Sequence, residues 1–249
     1  MIFSDEHGRK VNLSSPLDIS IPLSNDENNP RAWYVNPPVI EPVRENGWIG
    51  SVEEGGSVNF RNIFFNPHGH GTHTECLGHI TKEVFSINER LKNFFFNCEL
   101  ITVTPKEVKN GTETDYIISK ETIQNAIKGN KTEALVIRTL PNESLKKSKN
   151  YSASNPPYFD AECVPLLLSL GIKHLLIDLP SVDRESDGGV LAFHHAFWEV
   201  PNNPNHERTI TEMVFVPNTI LDGDYLLNLQ VAPFENDAAP SRPVLYKIL

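Results

Sequence analysis

The chain has 249 residues, 39% of them hydrophobic, and a formal net charge of -10. This length suffices for a buried core, and we expect a single domain over residues 1–249. The acidic charge argues against nucleic-acid binding, which needs clustered lysine and arginine side chains. The apolar runs are shorter than the roughly 20 residues of a membrane-spanning helix. The N-terminal sequence MIFSDEHGRK is charged and lacks the apolar region of a signal peptide. We therefore expect a cytoplasmic protein that binds neither nucleic acid nor membranes.

Secondary-structure patterns change along the chain. The first third is rich in proline and asparagine, as in residues 22–43, which predicts strands and loops rather than helices. Alternating strands and helices then predict an α/β layered domain. The predicted strands are ELITVT (99–104), EALVIRT (133–139) and KHLLIDL (173–179), followed in the final third by RTITEMVFV (208–216) and DYLLNLQVAP (224–233). The predicted helices are SKETIQNAIKG (119–129), with Ser119 as N-cap and Gly129 at its end, and FDAECVPLLLSLG (159–171), with Pro165 near its start.

The segment NPHGHGTHTECLGHI contains four histidines and a glutamate between His68 and His79. Its proline and glycines exclude a stable helix and predict a loop or tight bend. In an extended segment, His73 and Glu75 point to the same side and form the first two ligands of a Zn²⁺ or Mn²⁺ site. Either His68 or His70 can fold back as a third ligand, and His79 can be a fourth ligand or a general base. The competing interpretation is a solvated histidine-rich loop.

Two later segments offer partners for this loop. AFHHAFWEV places His194 and His195 in an apolar, aromatic setting, where a buried imidazole needs a partner. A core histidine bonded to the backbone is the alternative. On a strand, RTITEMVFV places Glu212 on a face shared with Ile210, Val214 and Val216. A carboxylate there has to be paired, protonated or metal-bound, unless the strand lies at an edge and Glu212 reaches solvent.

A third segment, LIDLPSVDRESDGG, brings two aspartates to the end of a predicted strand. Either Asp178 or Asp183 can orient a ligand histidine through a hydrogen bond to its ring. Either can equally serve as a turn or cap residue. The turn role is favoured for Asp183, and the sequence does not decide between the two roles for Asp178.

Together these segments resemble the cyclase-type metal-dependent hydrolases, whose best-known members are bacterial kynurenine formamidases. The family hallmark is H-x-G-T-H-x-D-x-P-x-H, and GTHTECLGH (71–79) is similar to it. LDISIPLS, LIDLPSVD, HHAFW with ITEMVFV, and the C-terminal GDYLLNLQVAPFENDAAPSRPVLYKI resemble further family segments in the same order. The resemblance implies a single-domain β/β/α swivelling fold with a mixed sheet, assembled as a homodimer or homotetramer.

The resemblance also implies a role for each candidate residue. Glu75 takes the place of a bridging aspartate, and His194 matches the later metal-binding histidine better than His195 does. His79 takes the place of the catalytic histidine. The implied ligands of one or two Zn²⁺ ions, or of Mn²⁺, are His68, His73, Glu75, His194 and Glu212.

The chain departs from the family pattern at three places. Position 69 is glycine where the family has its first histidine, which leaves His68 and His70 as candidates and favours His68 with a one-residue insertion. Glutamate replaces aspartate at position 75, and leucine replaces proline at position 77. The spacing from His194 to Glu212 is also longer than usual. These changes predict a divergent member that keeps the metal site.

The predicted function is hydrolysis of a small-molecule amide C–N bond by metal-activated water, with His79 as the general base. The resemblance implies N-formylkynurenine or a related aryl formamide as the substrate. A cyclic amide of the isatin type is the closest alternative, and a metal-binding protein without catalytic activity is another. The aromatic candidates for an aryl pocket, for which core packing is the alternative, are Trp48, Phe64, Phe65 and Trp198.

Overall fold

The computed structural model of the protein describes residues 1–4 and 8–249, so part of the charged segment MIFSDEHGRK lies outside the described residues. The strands are β1 (Ile2–Ser4), β2 (Lys10–Asn12), β3 (Leu17–Asp18), β4 (Val39–Pro42), β5 (Arg44–Glu45), β6 (Trp48–Ile49), β7 (Arg61–Phe64), β8 (His73–Glu75), β9 (Phe95–Val103), β10 (Lys106–Asn110), β11 (Glu113–Ile118), β12 (Ala134–Thr139), β13 (Tyr158–Phe159), β14 (His174–Ile177), β15 (Thr209–Glu212), β16 (Gly223–Asn228), β17 (Ala238–Pro240) and β18 (Val244–Lys247). The α-helices are α1 (Ile87–Arg90), α2 (Lys120–Ala126), α3 (Val164–Ser169) and α4 (Ala192–Trp198), and 3₁₀ turns cover Leu77–His79, Ser144–Lys147 and Ala161–Cys163.

Within the described residues, nine strands form the central sheet, in the order β17-β8-β15-β14-β12-β9-β16-β18-β3. The four central strands β9, β12, β14 and β15 run parallel to one another, whereas both flanks of the sheet are antiparallel. Strands β12 and β14 are buried along their whole length, which explains their almost continuous apolar sequence. The predicted α/β architecture with a mixed sheet is confirmed.

The two predicted helices form close to their expected positions. The Ser119 hydroxyl accepts the Thr122 backbone N–H at 3.3 Å and so caps α2. The 3₁₀ turn Ala161–Cys163 leads directly into α3. Pro165 lies in the first turn of α3, where a backbone N–H would have no partner within the helix, so the missing N–H of proline costs no hydrogen bond. Gly171 follows α3 with φ +84°, a left-handed conformation that ends the helix.

The strand predicted at RTITEMVFV is shorter than expected. Strand β15 ends at Glu212 because Met213 adopts φ +55°, which turns the chain out of the extended conformation. Beyond this turn, the Met213 and Val214 N–H groups donate to the carbonyls of Leu179 and Ile177. The predicted common face therefore does not extend to Val214 and Val216, and Glu212 occupies the end of the strand.

The helices of the described ranges are short. The longest α-helices, α2 and α4, each have seven residues. Within residues 1–4 and 8–249, no helix has the length and apolar character required to cross a membrane.

Candidate metal centre

Strand β8 carries the centre of a buried cluster of histidines and carboxylates. It lies between β15 and β17, and its register places His73 opposite Glu212. His73 and Glu75 are completely buried. Between them, the Thr74 hydroxyl bonds the Thr211 hydroxyl at 2.7 Å. Ligand atoms of His73, Glu75 and Glu212 lie within 4.8 Å of one another, so the strand pairing assembles three potential metal ligands.

His68 and His79 approach Glu75 from the loops on either side of β8. His68 Nδ1 lies 3.1 Å, and His79 Nε2 3.8 Å, from Glu75 Oε2. Their rings stack with centroids 4.2 Å apart. Asp237, beside β17, contacts the other nitrogen of each ring, at 2.8 Å from His68 Nε2 and 3.4 Å from His79 Nδ1. These contacts complete a second group of potential ligands, formed by His68, Glu75 and His79.

Helix α4 brings His194 to the opposite oxygen of Glu75, with Nε2 3.0 Å from Oε1. His194 Nδ1 lies 2.6 Å from Asp183 Oδ2, and the same carboxylate accepts the backbone N–H groups of Phe193 and His194. The favoured prediction that Asp183 serves as a turn residue is therefore incomplete. It anchors the first turn of α4 and also orients the histidine ring toward the cluster.

The other histidines and Asp178 lie outside this cluster. Both ring nitrogens of His70 contact backbone groups, Nδ1 accepting the Asn66 N–H at 2.8 Å and Nε2 donating to the Asn36 carbonyl at 2.7 Å. His195 donates through Nδ1 to the Val200 carbonyl at 3.2 Å. Asp178 instead pairs with Lys146 at 2.7 Å. Of the alternatives left open by the sequence, the structure therefore brings His68, His194 and Asp183 to the cluster.

Two atoms at the heart of the cluster lack a hydrogen-bond partner among the described residues. They are His73 Nε2 and Glu75 Oε2, and both are inaccessible to solvent. His73 Nδ1 donates to the Gly71 carbonyl at 2.9 Å, and Nε2 faces Glu212 at 3.4 Å. Buried polar atoms normally have partners. Imidazole nitrogen and carboxylate oxygen are also the donors that zinc and manganese accept, so these residues fit a divalent cation.

The pKa values of the charged residues in the cluster also indicate a cation site. Burial disfavours the protonated form of His68, but Asp237 and Glu75 outweigh it and raise its pKa to about 10. Burial is likewise outweighed at His194, where Asp183 and Glu75 raise the pKa to about 10. The pKa of Glu75 is held well below its usual range, because the surrounding histidines overcome the effect of burial. The carboxylates thus draw positive charge into the cluster, and a divalent cation can replace the protons that the imidazoles take up.

A cavity of about 300 Å³ opens onto the cluster, and its lining includes His68, His79, His194 and Glu212. Trp33 and Leu191 also face this cavity. None of the aromatic residues proposed from the sequence does so. Trp48 and Phe64 are 41% and 58% exposed on other strands, Phe65 contacts Phe234, and Trp198 is buried in the core.

Several residues at this site were not predicted from the sequence, among them Trp33, Leu191 and Asp237. Asp237 lies in the C-terminal segment that resembles the family's closing strands, and this was the available signal. Trp33 carried no such signal, because its position depends on two consecutive left-handed residues, Trp33 and Tyr34.

Comparisons with known proteins agree with this geometry. A family model described as a putative cyclase matches residues 12–184. A kynurenine formamidase from Bacillus thuringiensis (strain Al Hakam) is 30% identical over 239 residues, which cover 96% of this chain and 100% of that protein. The chain belongs to the putative cyclase family. The resemblance predicted from the sequence is thereby confirmed.

Solved structures of similar proteins have the same fold. A potential metal-dependent hydrolase with cyclase activity has a TM-score of 0.64 at 16% identity, covering 93% of this chain and 97% of the other. An isatin hydrolase bound to the product analogue thioisatinate has a TM-score of 0.63 at 13% identity, covering 94% and 93%. At these identities the likeness establishes the cyclase fold, as the sequence predicted.

Proposed function

We propose that this family member is a metal-dependent hydrolase that cleaves the amide C–N bond of an aryl formamide, with N-formylkynurenine as the leading substrate. The observation that carries the proposal is the cluster of histidines and carboxylates around the buried Glu75, which lies beneath a cavity that His79 also lines. The near full-length similarity to a kynurenine formamidase supports the formamide as substrate.

The proposed metal ligands are His68, His73, Glu75, His194 and Glu212, which would hold one or two ions of Zn²⁺ or Mn²⁺. The two oxygens of Glu75 face different histidines, His194 on one side and His68 with His79 on the other, so this carboxylate would offer ligand atoms on two sides of the cluster. A bound divalent cation would make water more acidic and polarise the substrate carbonyl.

His79 is the proposed general base. It lines the cavity and is the most exposed histidine of the cluster, with 32% of its side chain accessible. Its Nδ1 faces Asp237, which leaves Nε2 on the side of Glu75. Nε2 takes a proton from the attacking water and delivers it to the leaving nitrogen as the C–N bond breaks. The products are formate and the arylamine.

Two finer points of the proposal concern the whole molecule. We propose that the chain forms one domain and that it assembles as a homodimer or homotetramer. Exposed apolar side chains on the paired strands β4 and β7, among them Ile63 and Phe64, support such an assembly, because extensive exposed apolar surface marks protein interfaces. Light scattering would test the oligomeric state. The cytoplasmic location stays a prediction from the sequence.

Metal analysis and a substrate panel together test this proposal. We expect about one or two divalent ions per chain after expression with zinc and manganese, and release of formate from N-formylkynurenine. The panel should include aliphatic formamides, simple lactams and isatin, because ring opening of isatin without formamide cleavage would favour the cyclic-amide alternative. Metal-loaded protein that hydrolyses none of these compounds would support a binding protein without catalysis. Undetectable metal would overturn the central claim.

A further inference from the structure

Trp33, which lines the cavity, belongs to a short segment, residues 31–35, which we call the strap. The Ala32 N–H donates to the Gly69 carbonyl at 3.0 Å. A Cβ atom at position 69 would lie only 2.8 Å from Val35 Cγ2. Position 69 directly follows His68, so the glycine that departs from the family pattern allows the strap to pack against the metal loop. The strap is thus positioned by the same loop that supplies metal ligands.

The strap has an unusual backbone conformation. Trp33 and Tyr34 both have φ +58°, a left-handed conformation that is rare for bulky residues. Neighbouring groups hold it in place: the Tyr34 N–H donates to Ser152 Oγ at 2.9 Å, and the Tyr34 hydroxyl donates to Glu185 Oε1 at 3.2 Å. Such conformations persist where the surroundings fix them, and they concentrate at functional sites. Here the result is a tryptophan side chain that faces the cavity.

Trp33 both packs against a small hydrophobic core and lines the cavity. Trp33 packs against Ala32, Tyr151 and Met213, which form a small core separate from the main one. Among the described residues that line the cavity, only Trp33 and Leu191 are apolar. The remaining lining residues are polar or charged. A flat apolar wall beside polar groups suits an aromatic ring that carries a polar substituent toward the metal cluster.

The charged lining residues are already committed to protein partners. Arg184 donates through Nε to Asp115 Oδ1 at 3.0 Å and through its terminal nitrogens to Glu113 and the Ser186 carbonyl. Glu185 accepts the Tyr34 hydroxyl and the Asn155 N–H. An ion pair between one of these side chains and a substrate would therefore have to compete with these contacts.

We infer that Trp33 is the specificity-determining residue of the cavity, stacking on the aromatic ring of the substrate and selecting planar aryl amides over aliphatic amides of equal size. This inference rests on the proposed function for the reaction, but the binding preference can be measured without turnover. It assigns a role to the strap and to Gly69, which allows the strap to approach the metal loop.

The experiment compares Trp33→Leu with Trp48→Leu, a control in which an exposed tryptophan outside the cavity is changed. Formanilide and N-cyclohexylformamide serve as substrates, since they have similar size but only the first has a planar ring. We expect Trp33→Leu to lower the ratio of their kcat/KM values about tenfold, mainly through KM for formanilide. Trp33→Phe should keep most of the preference, and Trp48→Leu all of it. Metal content verifies that each variant retains its cluster.

Calorimetric binding of acetanilide and N-cyclohexylacetamide to the metal-loaded protein separates this inference from the proposed reaction. If the wild type hydrolyses neither formamide but binds acetanilide preferentially, and Trp33→Leu removes the preference, the reaction is wrong and the role of Trp33 is supported. If the wild type hydrolyses formamides and both Trp33 variants keep the wild-type ratio, the role of Trp33 is overturned and the reaction stands. Equal affinity of the wild type for the two acetamides also overturns the inference.

Discussion

Two of the buried groups of charged side chains differ in how completely they are hydrogen-bonded. In the first, which we call the lysine–aspartate pair, Lys146 Nζ donates to Asp178 Oδ2 and to the Thr139 carbonyl, both at 2.7 Å. Asp178 also accepts the Thr139 N–H and hydroxyl, each at 2.9 Å. In the second, the metal cluster, His73 Nε2 and Glu75 Oε2 have no hydrogen-bond partner among the described residues.

Missing hydrogen bonds indicate a metal ligand where several potential ligands also converge, as they do around His73 and Glu75. Glu99 Oε2 is also buried without a hydrogen-bond partner, but Glu99 lies outside both ligand groups. A buried charge is costly unless its partners satisfy it, and the lysine–aspartate pair is satisfied within the protein. In the metal cluster, protons taken up by His68 and His194 balance part of the negative charge, and a divalent cation would supply a partner to the two atoms that have no hydrogen bond. Both groups contain an aspartate from the same short segment, Asp178 and Asp183, so hydrogen-bond completeness distinguishes them where the sequence did not.

The largest expected effect comes from Glu75→Gln, which keeps the size of the side chain and removes its charge. Because Glu75 belongs to both ligand groups, we expect the variant to lose metal and to lose activity by about 10³-fold or more. Activity assays and metal analysis measure both effects. Glu99→Gln is the matched control, since Glu99 is also buried but lies on β9 outside both groups. A Glu75→Gln protein with normal metal content and turnover would show that Glu75 is not a metal ligand.

Asp178→Asn should have the opposite effect, a loss of stability without a loss of metal. It should leave Lys146 without its buried anionic partner and lower the free energy of unfolding by about 3 kcal/mol, while metal content stays unchanged. Urea unfolding measures the loss. The double variant Asp178→Asn with Lys146→Met should recover part of it, because neither charge then remains buried. Loss of metal from Asp178→Asn, with stability intact, would place this aspartate in the metal cluster.

Much of this contrast could not have been deduced from the sequence, because it depends on long-range contacts. Local patterns predicted the buried parallel strands, the Ser119 cap of α2, and the two-residue spacing that places His73 and Glu75 side by side. Asp237, by contrast, is 169 residues from His68 and reaches it through the pairing of β17 with β8. Hydrophobic periodicity in the sequence does not indicate a contact between residues so far apart in the chain.

Backbone conformation limited the remaining predictions. The left-handed Met213 ends β15 immediately after Glu212, although the apolar alternation continues in the sequence. The left-handed Trp33 lies on the cavity, whereas the aromatic residues chosen by composition do not. These conformations depend on the tertiary contacts that hold them, so local propensity does not indicate them.

The buried His174 is a third case for comparison, because its ring has no charged hydrogen-bond partner among the described residues. Its Nδ1 bonds Thr209 Oγ1 at 2.9 Å, and its ring lies 3.9 Å from that of Phe96. Burial, with a smaller effect of Lys173, lowers its pKa from 6.5 to about 4. The unfolded chain therefore takes up a proton at higher pH than the folded protein. Stability should fall by up to about 3 kcal/mol as the pH drops from about 6.5 to about 4, and the effect should level off below that range.

Parallel urea titrations of the wild type and His174→Gln test this prediction. Subtracting the two pH profiles removes the effects of other groups, including the metal cluster, which both proteins share. The difference should change through the window between pH 6.5 and 4 and be flat above it. Parallel profiles throughout would show that His174 is protonated equally in the folded and unfolded states.

The smallest expected effect concerns Asp237. It lies at the border of the metal cluster and is not one of the two residues whose buried atoms lack a hydrogen-bond partner. Its Oδ2 contacts ring nitrogens of both His68 and His79 on the sides that face away from Glu75. Asp237→Asn keeps the size but cannot hold both imidazoles as an anion, so we expect activity to fall about 10- to 100-fold with metal still bound. Asp224→Asn is the control, because Asp224 forms an exposed ion pair with Lys128. If Asp237→Asn instead lost metal as completely as Glu75→Gln, Asp237 would itself be a metal ligand and not only a residue that positions the histidines.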